Sequence, residues 1–226
     1  MNILLLGSGK TGSLVAEVAH ERGHKVEVMR SADNRGASGL TSQKLDGVNV
    51  IIDFTTPHEV VGHIEACVNG GHSLVVGTTG WLGNLPNIRK LVEQNGSGLL
   101  YGANFSIGVN LFYEVARASA AALQHQYSGQ IFERHHAQKK DAPSGTAMMV
   151  QKVVKEVSGK ELEITSFREG EVVGLHELIL DSTNDRIYLC HDAKSRRGFA
   201  EGAVRGAEWL SGKKGCFDFK DIWREV

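Results

Sequence analysis

The sequence predicts an α/β protein: a doubly wound parallel sheet followed by a second α+β domain built on a mixed sheet. Three observations carry that expectation. Up to Tyr101, short apolar runs alternate with segments of helical spacing. A glycine-rich turn, Gly7-Ser8-Gly9-Lys10-Thr11-Gly12, joins the first apolar run to the first helical segment. From Asn104 onward, strand-like segments follow one another with fewer helices between them.

Taken in order, Ile3-Leu4-Leu5-Leu6 is an unbroken apolar run, the mark of a strand buried on both faces of a parallel sheet. Leu14, Val15, Val18 and Ala19 then recur at helical spacing until Gly23. Residues 25–30 and 48–54 read as the next two strands, with a glycine-rich stretch between them. A helix over residues 60–69 closes at Gly70-Gly71, and a strand over 73–76 leads into Gly77-Thr78-Thr79-Gly80. A helix over 86–94 and a strand over 98–101 complete the first domain. Beyond it lie a long helix over 109–124, a strand over 130–135 and a helix over 146–157. Strands over 161–167, 172–181 and 186–193 follow, and a last helix over 200–210 is placed to return to the first domain. The expected boundaries are residues 1–106 joined by 197–226 for a dinucleotide-binding domain, and 107–196 for a substrate-binding and oligomerisation domain.

Composition narrows the function. The chain has 226 residues, 41% of them hydrophobic, enough for one large or two small cores. Lys and Arg number 25 against 26 Asp and Glu, so the net charge of −1 argues against a nucleic-acid binder, which needs a basic face. Cys67, Cys190 and Cys216 are odd in number and far apart, with neither metal-ligand spacing nor a disulfide framework. No apolar run approaches the length of a membrane span. A soluble cytoplasmic protein with no resident metal is expected.

Residues 7–12 fit G-x-G-x-x-G directly after a strand and at the opening of a helix. One glycine makes the tight turn, the next lets the backbone approach a pyrophosphate, and the third lets helix and strand pack closely. The plain alternative is a glycine-rich turn without a ligand. Gly9-Lys10-Thr11 resembles the tail of a phosphate-binding P-loop, but Leu4 occupies the position where that motif needs its first glycine. An NTPase reading fails on that count. In a Rossmann unit that uses NADH, a carboxylate near the end of the second strand holds the ribose hydroxyls. Here Glu27 comes too early and Asp33 too late, while Arg30 and Ser31 stand at the strand end. A guanidinium there could hold a 2′-phosphate, or could simply be solvated.

The richest stretch is residues 133–147, which reads Glu-Arg-His-His-Ala-Gln-Lys-Lys-Asp-Ala-Pro-Ser-Gly-Thr-Ala. Free N–H groups at a helix start, with the Ser144 and Thr146 hydroxyls, make a carboxylate site. Lys139 adds positive charge, and His135 and His136 offer acid–base capacity near neutral pH. The alternatives are an ordinary capped helix and a histidine pair that only packs. Glu133, His135 and His136 lack a convincing partner set for a metal.

At this stretch the chain resembles the dihydrodipicolinate reductase family, enzymes of the diaminopimelate route to lysine. Residues 133–147 match its pattern E-x-H-H-x-x-K-x-D-A-P-S-G-T-A at every fixed position. The likeness extends through residues 7–12, Asp53-Phe54-Thr55, Gly77-Thr78-Thr79, residues 102–110, Arg168-Glu169-Gly170, and Phe199-Ala200 with Gly202-Ala203-Val204-Arg205. The resemblance implies that Gly7, Ser8, Gly9, Lys10, Thr11 and Gly12 take the pyrophosphate and that Gly77, Thr78 and Thr79 lie along the nicotinamide. It places Gly102, Ala103, Asn104 and Phe105 at the nicotinamide and the hinge between domains, His135 as proton donor and Lys139 as its companion. His136, Lys139, Ser144, Gly145 and Thr146 would hold the substrate carboxylates, and the assembly would be a homotetramer. Two features depart from the family pattern: a short segment between the second and third strands, and no acidic ribose ligand.

The expected function is therefore NAD(P)H-dependent reduction of 4-hydroxy-tetrahydrodipicolinate to tetrahydrodipicolinate, with NADPH used at least as well as NADH through Arg30. Hinge closure would exclude water from the reaction. The competing readings are another two-domain dehydrogenase, which would need a different lysine and aspartate pattern, and a non-catalytic dinucleotide sensor, which would not need both His135 and Lys139.

Overall fold

Leucine and isoleucine dictate the centre of the first sheet. In β1 (Asn2–Leu6) every residue after Asn2 is buried, with Leu5 facing one side of the sheet and Leu4 and Leu6 the other. The computed structural model describes all residues 1–226. They divide into two units, Met1–Ile107 with Arg197–Val226, and Gly108–Arg196.

In the first unit β1 pairs in parallel with β2 (Lys25–Met29) and β3 (Val50–Asp53). The sheet continues through β4 (Leu74–Val76), β5 (Gly98–Tyr101) and β10 (Gly215–Asp218), in the order β10-β5-β4-β3-β1-β2. Strand order reverses between β1 and β3, so a crevice opens at their carboxyl ends, where open α/β sheets bind ligands. Helices α1 (Lys10–Glu21) and α7 (Arg197–Leu210) cover one face, packing Val15, Val18, Ala203 and Val204 against Ile3 and Leu5. Helices α3 (Val60–Asn69) and α4 (Leu85–Asn95) cover the other, with Ile64, Val68 and Val92 against Leu4 and Leu6. Each such buried Val, Leu or Ile side chain contributes about 1.5–3 kcal/mol relative to exposure. The short α2 (Ser42–Leu45) adds Leu45 to the second of these clusters, and α8 (Phe219–Ile222) adds Phe219 and Ile222 to the first.

The second unit has a four-stranded mixed sheet. β6 (Ser128–His135) lies between β7 (Ile164–Arg168), which is parallel to it, and β8 (Leu175–Asp181), which is antiparallel. β9 (Arg186–Asp192) completes the order β7-β6-β8-β9. Ile131, Leu178 and Leu180 on one face pack against Ala116 of α5 (Ile107–Ser119) and Val150 and Val154 of α6 (Gly145–Ser158). The opposite face keeps Phe167 and Tyr188 exposed.

Several boundaries differ from the expectation, each for a local reason. The helix expected over 109–124 ends at Ser119, whose hydroxyl donates to the Ala116 carbonyl, and a 3-10 turn, Ala120–Gln124, replaces its last part. The strand expected from 161 starts at Ile164, because Gln151 Nε2 takes the Leu162 carbonyl. The strand expected from 172 starts at Leu175, after Gly174 has passed so close to His135 that a Cβ would lie 3.0 Å from Nε2. The strand expected over 48–54 is β3, the shorter span Val50–Asp53. β10 carried no alternation to read: it is short and opens on Gly215 at φ 118°.

Candidate active site

Three loops meet at the crevice of the first unit. Gly7, at φ 98°, lies so close to β3's exit that a Cβ would sit 2.4 Å from the Phe54 carbonyl oxygen. A Cβ on Gly12 would sit 2.3 Å from the Gly7 carbonyl oxygen, whereas one on Gly9 would meet nothing within 4 Å. The first and third glycines are therefore bound by the fold, and the middle one faces open space. Gly9 begins α1 with no side-chain cap, so first-turn N–H groups and the positive end of the helix dipole stay available to an anion. Gly9, Lys10, Thr11 and Gly12 bound one side of a cavity of about 290 Å³, while Phe54, Thr55, Pro57 and Gly77, Thr78 and Thr79 bound the rest. Ser8 is exposed beside it.

Beneath the cavity runs a buried polar network that sequence reading saw only as part of a motif. Asp53 Oδ1 accepts from the Thr78 hydroxyl at 2.7 Å, and from the Thr55 hydroxyl and amide at 2.8 and 2.9 Å. Its Oδ2 lies 2.7 Å from His63 Nδ1, and His63 Nε2 lies 3.0 Å from Asn34 Nδ2. Because the Asn34 amide nitrogen donates, His63 carries its proton on Nδ1 and gives it to Asp53. The Thr78 hydroxyl also accepts from the Thr55 amide at 2.8 Å, so it builds the cavity floor.

The remaining residues expected at the cofactor sort by exposure. Arg30 is exposed just past β2, followed by the 3-10 turn Ser31–Asp33. Glu27, the nearest acid on that strand, is ion-paired with Lys44. Of residues 102–105, Ala103 is exposed and Asn104 half-buried, its Oδ1 accepting from the Ser106 amide at 2.9 Å. Gly102 and Phe105 are buried, and the Phe105 ring belongs to the core, 4.6 Å from the Phe219 centroid. That ring is not free to meet a nicotinamide.

In the second unit, the alternation of β6 places Glu133 and His135 on the buried, helix-covered face. Directly across from Glu133 stand Ser166 on β7 and His176 on β8, and across from His135 stands Arg168. Glu133 is fully buried, its Oε2 bonded to His135 Nδ1 and its Oε1 accepting from Arg168 Nη2 at 2.7 Å. The rings of His135 and His176 meet edge to face at 5.1 Å, and His176 Nε2 lies 3.0 Å from the Ser144 hydroxyl. Ser144 also caps α6, accepting from the Ala147 amide at 3.2 Å. Gly145 is exposed with open space around it, and the Thr146 side chain is hydrogen-bonded with the half-buried Tyr113. Lys139 pairs with the Asp141 carboxylate at 2.8 Å, and His136 Nε2 lies 3.4 Å from Arg196 Nη2.

Burial sets the protonation of this cluster. It lowers His135 below its ordinary value, with Glu133 pulling the other way and Lys139 and Arg168 adding to the fall. It pushes His176 down to about 3, so that ring is neutral. Burial alone would raise Glu133, yet hydrogen bonds from Arg168, Ser166 and His135 together hold it below the usual carboxylate range. Donor atoms of Glu133, His135 and His176 lie within 4.8 Å of one another; His135 Nδ1, Glu133 Oε1 and His176 Nε2 are engaged by Glu133, Arg168 and Ser144, while the buried His176 Nδ1 has no partner.

His135, His136, Lys139, Ser144, Gly145 and Thr146 thus share one region at the end of β6 and the start of α6. Sequence reasoning gave no role to Glu133, Arg168 or His176. The available signal was an acid and a histidine two apart in a strand, which puts both on one face.

The family model for the N-terminus of dihydrodipicolinate reductase matches residues 1–105, and that for its C-terminus matches residues 108–223. A 4-hydroxy-tetrahydrodipicolinate reductase of Christiangramia forsetii is 37% identical over 100% of this chain and 99% of its own length. One from Natronomonas pharaonis is 36% identical over 98% and 99%. Among solved structures, a dipicolinate-bound dihydrodipicolinate reductase from Paenisporosarcina sp. TG-14 shares the fold with a TM-score of 0.80, at 24% identity over 98% of this chain and 99% of that one. An amine dehydrogenase from Mycobacterium smegmatis shares it with a TM-score of 0.67 at 9% identity over 98% and 95%.

Proposed function

Because this chain belongs to the dihydrodipicolinate reductase family, we propose that it uses the two sites described above to reduce 4-hydroxy-tetrahydrodipicolinate to tetrahydrodipicolinate, with NADPH accepted at least as well as NADH. The family makes it an oxidoreductase of the diaminopimelate route to lysine. The observation that carries the site assignment is the His135 ring, held at Nδ1 by Glu133 beside the start of α6.

A nicotinamide dinucleotide fits the first unit by the chemistry of its glycine turn: open space at Gly9, an uncapped helix start, and a cavity shared with Gly77 and Thr79. When bound in reduced form it supplies the hydride. Residues 7–12 would hold its pyrophosphate, and Arg30 would meet a 2′-phosphate with two parallel hydrogen bonds, Glu27 being paired with Lys44 and Asp33 lying past the strand end. Thr78 would act through its backbone, since its hydroxyl is committed to Asp53.

The second unit would bind the two carboxylates. Gly145 and Thr146 at the start of α6 would take one with their amides, and His136 and Lys139 would add positive charge. Ser144 fixes that helix start from below, bonded to His176 and to the Ala147 amide. With Nδ1 committed to Glu133, His135 can deliver a proton only from Nε2, and only as imidazolium. In the free protein burial keeps the ring neutral near pH 7. A dianionic substrate beside it would favour the charged form, so proton and substrate would arrive together. The reaction takes up one hydride and one proton and releases water from the hydroxylated substrate.

The open face of the second sheet, with Phe167 and Tyr188 exposed, supports assembly into a homotetramer through these sheets. Three unpaired thiols fit the reducing cytoplasm, and no helix is long and apolar enough to cross a membrane. The test is to follow nicotinamide absorbance when the purified protein meets freshly generated 4-hydroxy-tetrahydrodipicolinate with each nucleotide. Absorbance should fall with both, at least as fast with NADPH. No substrate-dependent fall overturns the function, and a clear preference for NADH overturns the role of Arg30.

A further inference from the structure

Arg168 is half-buried at the end of β7, directly beside His135 on the neighbouring strand. One of its nitrogens, Nη2, has two acceptors: Glu133 Oε1 at 2.7 Å and the Asp141 carbonyl at 2.6 Å. Its other terminal nitrogen donates to its neighbour's carbonyl, Phe167, at 2.6 Å. Its Nε is buried and has no partner. The guanidinium is thus directed by what Nη1 and Nη2 reach, at the cost of an unsatisfied Nε–H. The two acceptors of Nη2 lead to different reactive groups. Glu133 grips His135 at Nδ1, and Asp141 grips Lys139 through its carboxylate.

We propose that Arg168 is a positioning residue that holds the proton donor and the lysine-bearing turn in one register, through Glu133 on one side and the Asp141 backbone on the other. The inference rests on the reading of His135 and Lys139 as the catalytic pair. A rigid fork suits this task, because two acceptors with fixed directions can be met by one planar group and not by a mobile ammonium. Arg168 also supplies the charge that keeps the buried Glu133 ionised, with Ser166 and His135 assisting. Around His135 the charged or titratable groups are Glu133 on its own strand, Arg168 on β7, His176 on β8 and Lys139 on the following turn. Removing Arg168 leaves Glu133 buried without its main counter-charge, so it takes a proton and stops favouring the imidazolium, a loss larger than the direct Arg168 repulsion of that ring which is relieved at the same time.

The test compares Arg168→Met and Arg168→Lys with the parent by kcat, KM for NADPH and the pH profile of kcat. Arg168→Met should lower kcat roughly 10- to 100-fold and move the alkaline limb of its profile by about one unit toward acid, with KM for NADPH unchanged. Arg168→Lys should leave the limb in place, because the charge survives, and lower kcat about tenfold, because the second contact does not. A parental kcat and limb in Arg168→Met overturns the proposal. So does a fall in kcat with a stationary limb, the mark of a merely structural ion pair. Should Arg168→Met not fold, Glu133→Gln carries the same limb prediction, because it removes the charge that Arg168 sustains while keeping the volume. His135→Gln and Lys139→Ala are measured alongside. If either keeps parental kcat, the catalytic pair itself is wrong; if both lose kcat and Arg168→Met does not, only the positioning role is wrong.

Discussion

The glycine turn makes a prediction that separates two roles usually described together. Gly9→Ala and Gly12→Ala add the same methyl group to the same turn, and the structure assigns them opposite consequences. Gly9 has φ −73° and ψ −174°, a conformation open to alanine, and its added Cβ meets nothing within 4 Å. The reduced freedom of the unfolded chain offsets the weaker helix cap, so stability should stay within about 1 kcal/mol of the parent. The methyl does, however, stand where the pyrophosphate would approach. Losing one charge-assisted hydrogen bond there costs about 1.5–3 kcal/mol, which weakens the nucleotide roughly tenfold to a hundredfold. Gly12→Ala instead forces a Cβ to 2.3 Å from the Gly7 carbonyl oxygen. Both partners are backbone, so no rotamer relieves the contact, and α1 must shift against β1 at a cost of about 1–3 kcal/mol in stability. Urea denaturation without nucleotide, paired with NADPH titration by fluorescence, reads both effects. Parental NADPH affinity in a folded Gly9→Ala protein would refute the reasoning, and so would a Gly12→Ala protein as stable as the parent.

Three further outcomes follow from the two sites. His135→Gln and Lys139→Ala should each lower kcat roughly 10²-fold or more with NADPH binding nearly unchanged, and near-parental turnover in either removes it from the mechanism. Arg30→Ala should weaken NADPH by about 1–2 kcal/mol and leave NADH almost untouched; an equal loss for both in kcat/KM would mean the guanidinium stacks on the adenine instead. His176 sits at about 3 in the fold against an ordinary 6.5, so below 6.5 the unfolded chain takes a proton that the folded one refuses. Its contribution is complete above 6.5 and is lost as pH falls toward 3, with a slope of at most about 1.4 kcal/mol per unit. His135 and His191, lowered by burial too, add in the same direction. Urea midpoints measured between about pH 6.5 and 5 should fall less steeply in His176→Gln, and an unchanged slope would place that titration elsewhere.

The elements that sequence made legible are those whose pattern is local. β1 reads as a buried strand because four apolar residues in a row have no solvent face to offer, and the glycine turn reads because its spacing is itself geometry. The site was legible only as far as consecutive residues could carry it. His135, Lys139 and the start of α6 lie within one stretch, and the structure brings them to one region. Arg168 and His176 come from two other strands, and only the register of the sheet sets them beside Glu133 and His135. Sequence also cannot tell an open hydroxyl from a committed one: Thr78 and Ser144 both look like ligand donors, and both are engaged in bonds within the protein. Phe105 shows the same limit for an aromatic ring, since its place between Phe54 and Phe219 depends on residues far along the chain.

His135, neutral in the free protein, is expected to become the charged acid when a dicarboxylate occupies the neighbouring helix start. Calorimetric titration of the protein with dipicolinate near pH 7, repeated in buffers of different ionisation enthalpy, measures that proton directly. The expected result is uptake of up to about one proton per ligand bound by the parent, and none by His135→Gln. Binding whose heat is independent of the buffer in the parent, or equal uptake in His135→Gln, would contradict it.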